Sequence, residues 1–388
     1  MINSRFIFVG LLGVAGLLAV IKPATLLAQV RTEVSYQNSN GKMMVEVIVN
    51  NVKGHFLLDT GAPCALTYTF ASKLGVTVQS GSVKVEDSNG NQTGTHICRV
   101  ETLKLGDATF TDLQMVRLPK GQMIESFGVD GIIGYNLMKQ GIVKFDGKKN
   151  LFTFTTYDKD LGIDYGYAIP LINDPYVTLL PVRLGKNSCD TVMFDSGARA
   201  FYEISVGCFD RLGEYNKDVR RLCHGEGILS LGVAGLEQKS MKYRLVVPDF
   251  KIGKRRFADV TSVTTNASFS RLGAEILYYG TVIIDYPAQV FYYIPHEPKK
   301  KLSLYQKDWD VTITVMDKSL CAGLVWSDSK SGLHGGERIV EINGIRYDQE
   351  IDLLQMSTKP LINLSGDKAE IGYIDERGIE MKTVIRRR

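Results

Sequence analysis

The sequence predicts a mainly β protein built as two related halves, with a small α+β region at its C-terminal end. Short runs of alternating apolar and polar residues recur between turn residues, and 38 glycines can serve those turns. Blocks of the first half also return in the second. Gly134 and Gly273, Gly141 and Gly280, Asp146 and Asp285, and Phe152 and Phe291 each stand 139 positions apart. An internal repeat of roughly 135 residues is too long for a solenoid unit and suits a domain-sized body. Beyond Pro295, Pro298 and the run Lys299-Lys300-Lys301 the pattern changes, which marks a linker before the last region.

The elements follow in chain order. Arg5 precedes the apolar run Phe6 to Ile21, and Ala24 and Ala28 follow as small residues. Residues 1–28 are therefore expected to be a secretory signal peptide, with an uncleaved membrane anchor as the alternative, and the protein to be periplasmic or extracellular. Val45, Val47 and Val49 alternate as a strand before a turn at Asn50-Asn51, and His55 to Leu58 returns toward Asp59. A helix is expected over Tyr68 to Leu74 and a hairpin over Val83 to His96, turning at Ser88-Asn89-Gly90. A second short helix is expected over Tyr135 to Lys139, and a boundary near Tyr157 to Gly166. The second half gives a strand from Tyr176 to Leu184, a turn at Gly185-Lys186-Asn187, a strand Thr191 to Phe194 before Asp195, and a helix over Glu275 to Tyr279. In the last region, Ile339 to Ile342 is strand-like and Asn343-Gly344 is a strong hairpin signal. Helical spacing runs from Asp348 to Met356, and a closing hairpin joins Glu370–Ile374 to Lys382–Ile385. Asp146 and Asp285 end strands and read as turn residues.

Composition narrows the function. Charged residues are 23% and hydrophobic ones 44%, as in a globular protein, and the net charge is only +4. No Lys/Arg cluster interleaves with aromatics, so no nucleic-acid partner is expected. The six cysteines show no Cys-x-x-Cys and the five histidines are scattered, so no metal site is expected; with no Gly-rich phosphate loop, no cofactor is expected either. Export permits disulfides, with Cys208 and Cys223 a plausible pair and six buried free thiols the alternative.

Two blocks carry chemistry: Leu57-Leu58-Asp59-Thr60-Gly61-Ala62 and Met193-Phe194-Asp195-Ser196-Gly197-Ala198, their aspartates 136 positions apart. A single Asp-Thr-Gly is an ordinary turn; two copies, each closing an apolar strand, are a stronger signal. Two carboxylates held together share one proton, so the pair can take a proton from water and give one to a leaving amine. The hydroxyls of Thr60 and Ser196 would hold the loops in register, and Gly61 and Gly197 let the backbone turn closely.

These blocks, with Ile132-Ile133-Gly134 and Leu272-Gly273 downstream, make residues 40–297 resemble the aspartic peptidases, specifically bacterial retropepsin-like lobes fused in tandem into a pepsin-like bilobal arrangement. The resemblance implies two all-β lobes, residues 29–160 and 161–298, with an active site in the cleft between them. It further implies an aspartic endopeptidase with Asp59 and Asp195 as its dyad, acting as a monomer on peptide or protein substrates, with the Val83–His96 hairpin as either a flap or a surface hairpin. The second copy departs at Arg271, where the family has a hydrophobic residue. Residues 305–388 resemble a PDZ domain of the bacterial type through the thirteen positions from Gly332 to Gly344, with Glu337 in place of the usual Asp. That resemblance implies a C-terminal peptide ligand, with a carboxylate-binding loop expected between Met316 and Leu324. Two other readings stay open: a homodimer pairing two copies of Asp59, and a non-catalytic peptide-binding protein working through its PDZ-like region.

Overall fold

Asn50 and Asn51 both adopt positive φ (45° and 67°), the twist a two-residue hairpin needs, and join the antiparallel strands Lys42–Val49 and Val52–Leu58. The first strand buries every second side chain; the second ends in three consecutive buried residues, Phe56, Leu57 and Leu58, where it enters the interior. The computed structural model describes residues 8–10, 25–26, 29–39, 41–79, 83–86, 89, 92–213, 216–232, 235–358, 361–362 and 364–388. Most of the expected signal peptide lies outside the described residues, as does most of the Ser88-Asn89-Gly90 turn.

The protein is mainly β. Gly131–Ile133 lies parallel to Phe56–Leu58, and the long hairpin Gln92–Leu105/Ala108–Arg117 backs the same sheet. The second half repeats this plan. Leu179–Leu184 pairs with Ser188–Asp195, Ser270–Gly273 lies parallel to Val192–Asp195, and Ser240–Ile252 pairs with Arg255–Thr265. The helix Tyr68–Leu74 forms as expected, capped by the Thr67 hydroxyl and closed by Gly75 at φ 62°. A matching helix at Val206–Leu212, capped by the Ser205 hydroxyl, was not anticipated from the sequence, although Ser before an apolar turn is a start signal. Tyr135–Met138 is a single helical turn, and its counterpart Ala274–Tyr278 is a 3-10 turn.

One six-stranded sheet draws on both halves: Ile142–Asp146 pairs antiparallel with Gly280–Asp285, flanked by Leu151–Thr155 and Val290–Pro295. Phe194 packs edge-on against Phe145 (5.9 Å) and Phe291 (5.5 Å), one ring from each half of this sheet. Phe194 directly precedes Asp195, so the shared core fixes the second acidic loop. Asp146 and Asp285 accept from the main chain of Lys149 (3.2 Å) and Ala288 (2.9 Å), as turn residues do.

Beyond Pro298 the chain is not a loose linker. Leu302 and Leu304 exchange main-chain hydrogen bonds with Ala258, both 2.8 Å, along the edge of the second half. The last region has its own core of Trp309, Val311, Ile313, Leu320, Ile339 and Ile371. Its Asn343-Gly344 turn and its closing hairpin, Lys368–Ile374 with Glu380–Arg386, form as expected. Two expectations are corrected. Helix forms only over Leu353–Thr358, because the backbone N–H of Ile351 is taken by the carbonyl of Lys318 (2.9 Å). The Met316–Leu324 stretch is a closed hairpin, Val311–Met316 with Ser319–Val325, whose turn residues Asp317 and Lys318 both have positive φ, so its main chain is already paired and offers no carboxylate-binding loop there. The region docks on the second half: Leu324 pairs with Gly227, and the Arg244 guanidinium lies 4.4 Å from the Trp326 ring and donates to the Trp309 carbonyl (2.9 Å).

All six cysteines are free thiols. Cys208 and Cys223 do not pair because they belong to different cores: Cys208 sits in the main core, whereas Cys223 packs with Leu324 and Trp326 at the docking surface.

Candidate active site

Each acidic loop begins where a buried strand runs out of ladder partners. Asp59 still donates its backbone N–H to Ile133 (3.0 Å), and then the chain turns. Across the two halves the loops grip each other through four buried hydrogen bonds. The Thr60 N–H donates to Ser196 Oγ (3.0 Å) and the Ser196 N–H to Thr60 Oγ1 (3.0 Å). Each hydroxyl then donates to the carbonyl before the opposite aspartate, Thr60 Oγ1 to Phe194 O (2.6 Å) and Ser196 Oγ to Leu58 O (2.9 Å). A hydroxyl is both donor and acceptor, so Thr and Ser can each close two of these bonds, which an aliphatic side chain could not.

The grip brings Asp59, Thr60, Gly61, Ser196, Gly197 and Asp195 together. A methyl group on Gly61 would fall 2.9 Å from Asp195 Cγ, and one on Gly197 would collide with the Asp59 carboxylate. Both positions therefore require glycine for close approach. Asp59 Oδ1 accepts from the Gly61 N–H (2.9 Å), and Asp195 Oδ1 from Gly197 and Ala198 (both 2.9 Å). The outer oxygens, Asp59 Oδ2 and Asp195 Oδ2, are buried and accept no hydrogen bond from the protein. Both aspartates are fully buried.

Burial, and next the charge of Asp195, hold the Asp59 carboxyl well above the usual carboxylate range. Burial also raises that of Asp195, opposed by the Arg271 and Lys42 cations. Two carboxylates that cannot both ionise cheaply retain a proton between them, the state required of an acid–base pair.

Two charged elements at the site escaped the sequence reading. Lys42, half-buried at the start of its strand, reaches across the halves and its Nζ donates to the carbonyl of Gly197. Its place at a strand end, after the Gly41 turn, looks like an ordinary exposed lysine, and nothing in the spacing points to Asp195. Burial draws its ammonium down to about 8 against the pull of both aspartates. Arg271 was visible as a departure from pattern. Its partner was not: Glu203 forms an ion pair with it at 3.0 Å, and Thr265 Oγ1 accepts from the same guanidinium (3.3 Å).

The Val83–Glu86 strand pairs with Gln92–Thr95, and Val85 packs with Leu57, Ala62 and Tyr135 beside the Asp59 loop. Among the described residues no group of three His, Cys, Asp or Glu stands together as a metal set, and no helix is long and apolar enough to cross a membrane.

A family model described as aspartyl protease matches residues 45–137, which span the Asp59 block, the Val83–Glu86 hairpin and the Ile132-Ile133-Gly134 block. Over these residues the chain is similar to retropepsin-like aspartyl proteases. No curated protein matches the chain.

Proposed function

We propose that the protein is an aspartic endopeptidase whose dyad is Asp59 and Asp195, one contributed by each of two retropepsin-like lobes in tandem. The observation that carries this reading is the reciprocal grip of Thr60 and Ser196, which sets each carboxylate against the glycine of the opposite loop. In this mechanism the ionised aspartate takes a proton from a water molecule as its oxygen attacks the scissile carbonyl. The protonated aspartate stabilises the developing oxyanion, and a proton then passes to the leaving nitrogen as the C–N bond breaks. The two free Oδ2 atoms are the acceptors available for the shared proton and the water. Asp59→Asn and Asp195→Asn should each lower cleavage of a mixed peptide library by at least about a hundredfold while the circular dichroism spectrum is unchanged. Retained activity in either variant excludes the dyad.

A single-chain site requires activity from a monomer, and sedimentation under assay conditions tests it against the pairing of two Asp59 copies. Residues 305–388 we propose as a PDZ-type peptide-binding module of an exported enzyme. The Gly332–Gly344 pattern and the helix Leu353–Thr358, set beside the strand Val311–Met316, support that reading.

A further inference from the structure

The dyad faces an unusual concentration of charge. Lys42 comes from the first strand of the first half, Arg271 and Glu203 from strands of the second, and Arg199 packs beneath Gly41, one residue before Lys42. Arg271 also favours the ionised form of Asp195, while its guanidinium is paired with Glu203 at 3.0 Å. Lys42 is different. Its ammonium is anchored on a neutral acceptor, the Gly197 carbonyl, in the loop that lies against the Asp59 carboxylate. Among the charges that act on this ammonium, those of Asp59 and Asp195 are the strongest.

We propose that Lys42 is a positioning residue whose ammonium, fixed on the Gly197 carbonyl, neutralises the singly protonated Asp59–Asp195 pair and so sets the lower pH limit of catalysis. The inference rests on the dyad reading above. Its physical basis is that a cation beside two sealed carboxylates favours their ionised form, opposing the burial and mutual repulsion that favour protonation. With Lys42 in place the second proton leaves at lower pH, and the one-proton form extends into more acidic solution. Burial and the two carboxylates pull the lysine in opposite directions, and its charge persists up to about 8.

The test is the pH dependence of kcat for peptide cleavage in wild type, Lys42→Met and Lys42→Arg. The Met variant should move the acidic limb upward by about one to three pH units, and Arg, which keeps the charge, should restore it most of the way. An acidic limb that does not move in Lys42→Met overturns the proposal. A second measurement is independent of catalysis and of how the Lys42 variants fold. By linkage, removing the charge of the pair must lower the titration of the Lys42 ammonium, so its side-chain nitrogen resonance should titrate at lower pH in the double variant Asp59→Asn/Asp195→Asn than in wild type. An unchanged lysine titration sinks the charge coupling even if peptide cleavage is observed. A shifted titration without any cleavage would instead uphold the coupling and remove the peptidase reading.

Discussion

Ile132 and Arg271 occupy the same place in the two halves. Each lies on a strand parallel to the one that delivers an aspartate, Ile132 opposite Leu57 and Arg271 opposite Met193, each two residues before a glycine. Ile132 is buried among Leu57, Ala62, Val116 and Tyr135. Arg271 is equally buried but pairs with Glu203 and Thr265. The backbone grip on the two acidic loops is nearly symmetric, whereas their electrostatic surroundings are not. A shared fold constrains the main-chain bonds that position a carboxylate far more tightly than the chemistry of the residue behind it. That residue is free to vary provided its polar atoms find partners.

The halves also differ in what covers them, and this gives the largest expected effect. The C-terminal region joins its strands to the second half and meets the first through the helix Leu353–Thr358 against Met123–Phe127, and its Trp326 is almost fully buried beside Cys223 and under Arg244. Trp326→Ala should destabilise by about 3 to 5 kcal/mol, the range for truncating a buried tryptophan. Hydrogen exchange should quicken across Arg220–Gly227 and Ser240–Ile252 but stay slow across Lys42–Leu58. Uniform acceleration in both halves would show that they unfold together and that the asymmetry is only local.

The next effect is at Arg271. Arg271→Ile copies the first half but strands Glu203, and should cost about 2 kcal/mol, less than a fully sealed pair because Glu203 keeps 22% exposure. Adding Glu203→Gln should recover most of that loss, read by urea denaturation as a double-mutant cycle. Additive losses would mean that the pair is not coupled.

The smallest effect separates the aspartates by pH. The folded-state value of Asp59 is raised, so the native state holds a proton that the unfolded chain releases above about 4. That term favours the fold fully below the unfolded value and is lost as pH rises toward the folded one. Asp59→Asn removes the penalty, so its Tm should exceed that of wild type at pH 7, with the difference closing toward pH 3. The gain should be smaller for Asp195→Asn, where Arg271 and Lys42 already favour the ionised form. Equal gains would show that the two sites do not differ electrostatically.

Much of this architecture was written locally in the chain. The Asn50-Asn51 and Asn343-Gly344 turns, the Tyr68–Leu74 helix, and the apolar runs leading into Asp59 and Asp195 depend on neighbours a few residues away, so alternation and turn chemistry were enough to find them. The repeated spacing of Asp146 and Asp285 and of Phe152 and Phe291 likewise marked two copies of one pattern, although that these copies pair in one sheet was decided by the tertiary structure. Tertiary structure alone decided the rest. Lys42 meets Gly197 across 155 positions, and Cys208 and Cys223 are close in sequence but fall into separate cores. Helix at 348–356 was cut short because Lys318, thirty-three positions before Ile351, captured its main chain. In each case the deciding term is the satisfaction of a buried charge, thiol or backbone group by a partner distant in sequence. Such a partner is supplied by the packing of whole sheets and leaves no periodic trace in the residues around it.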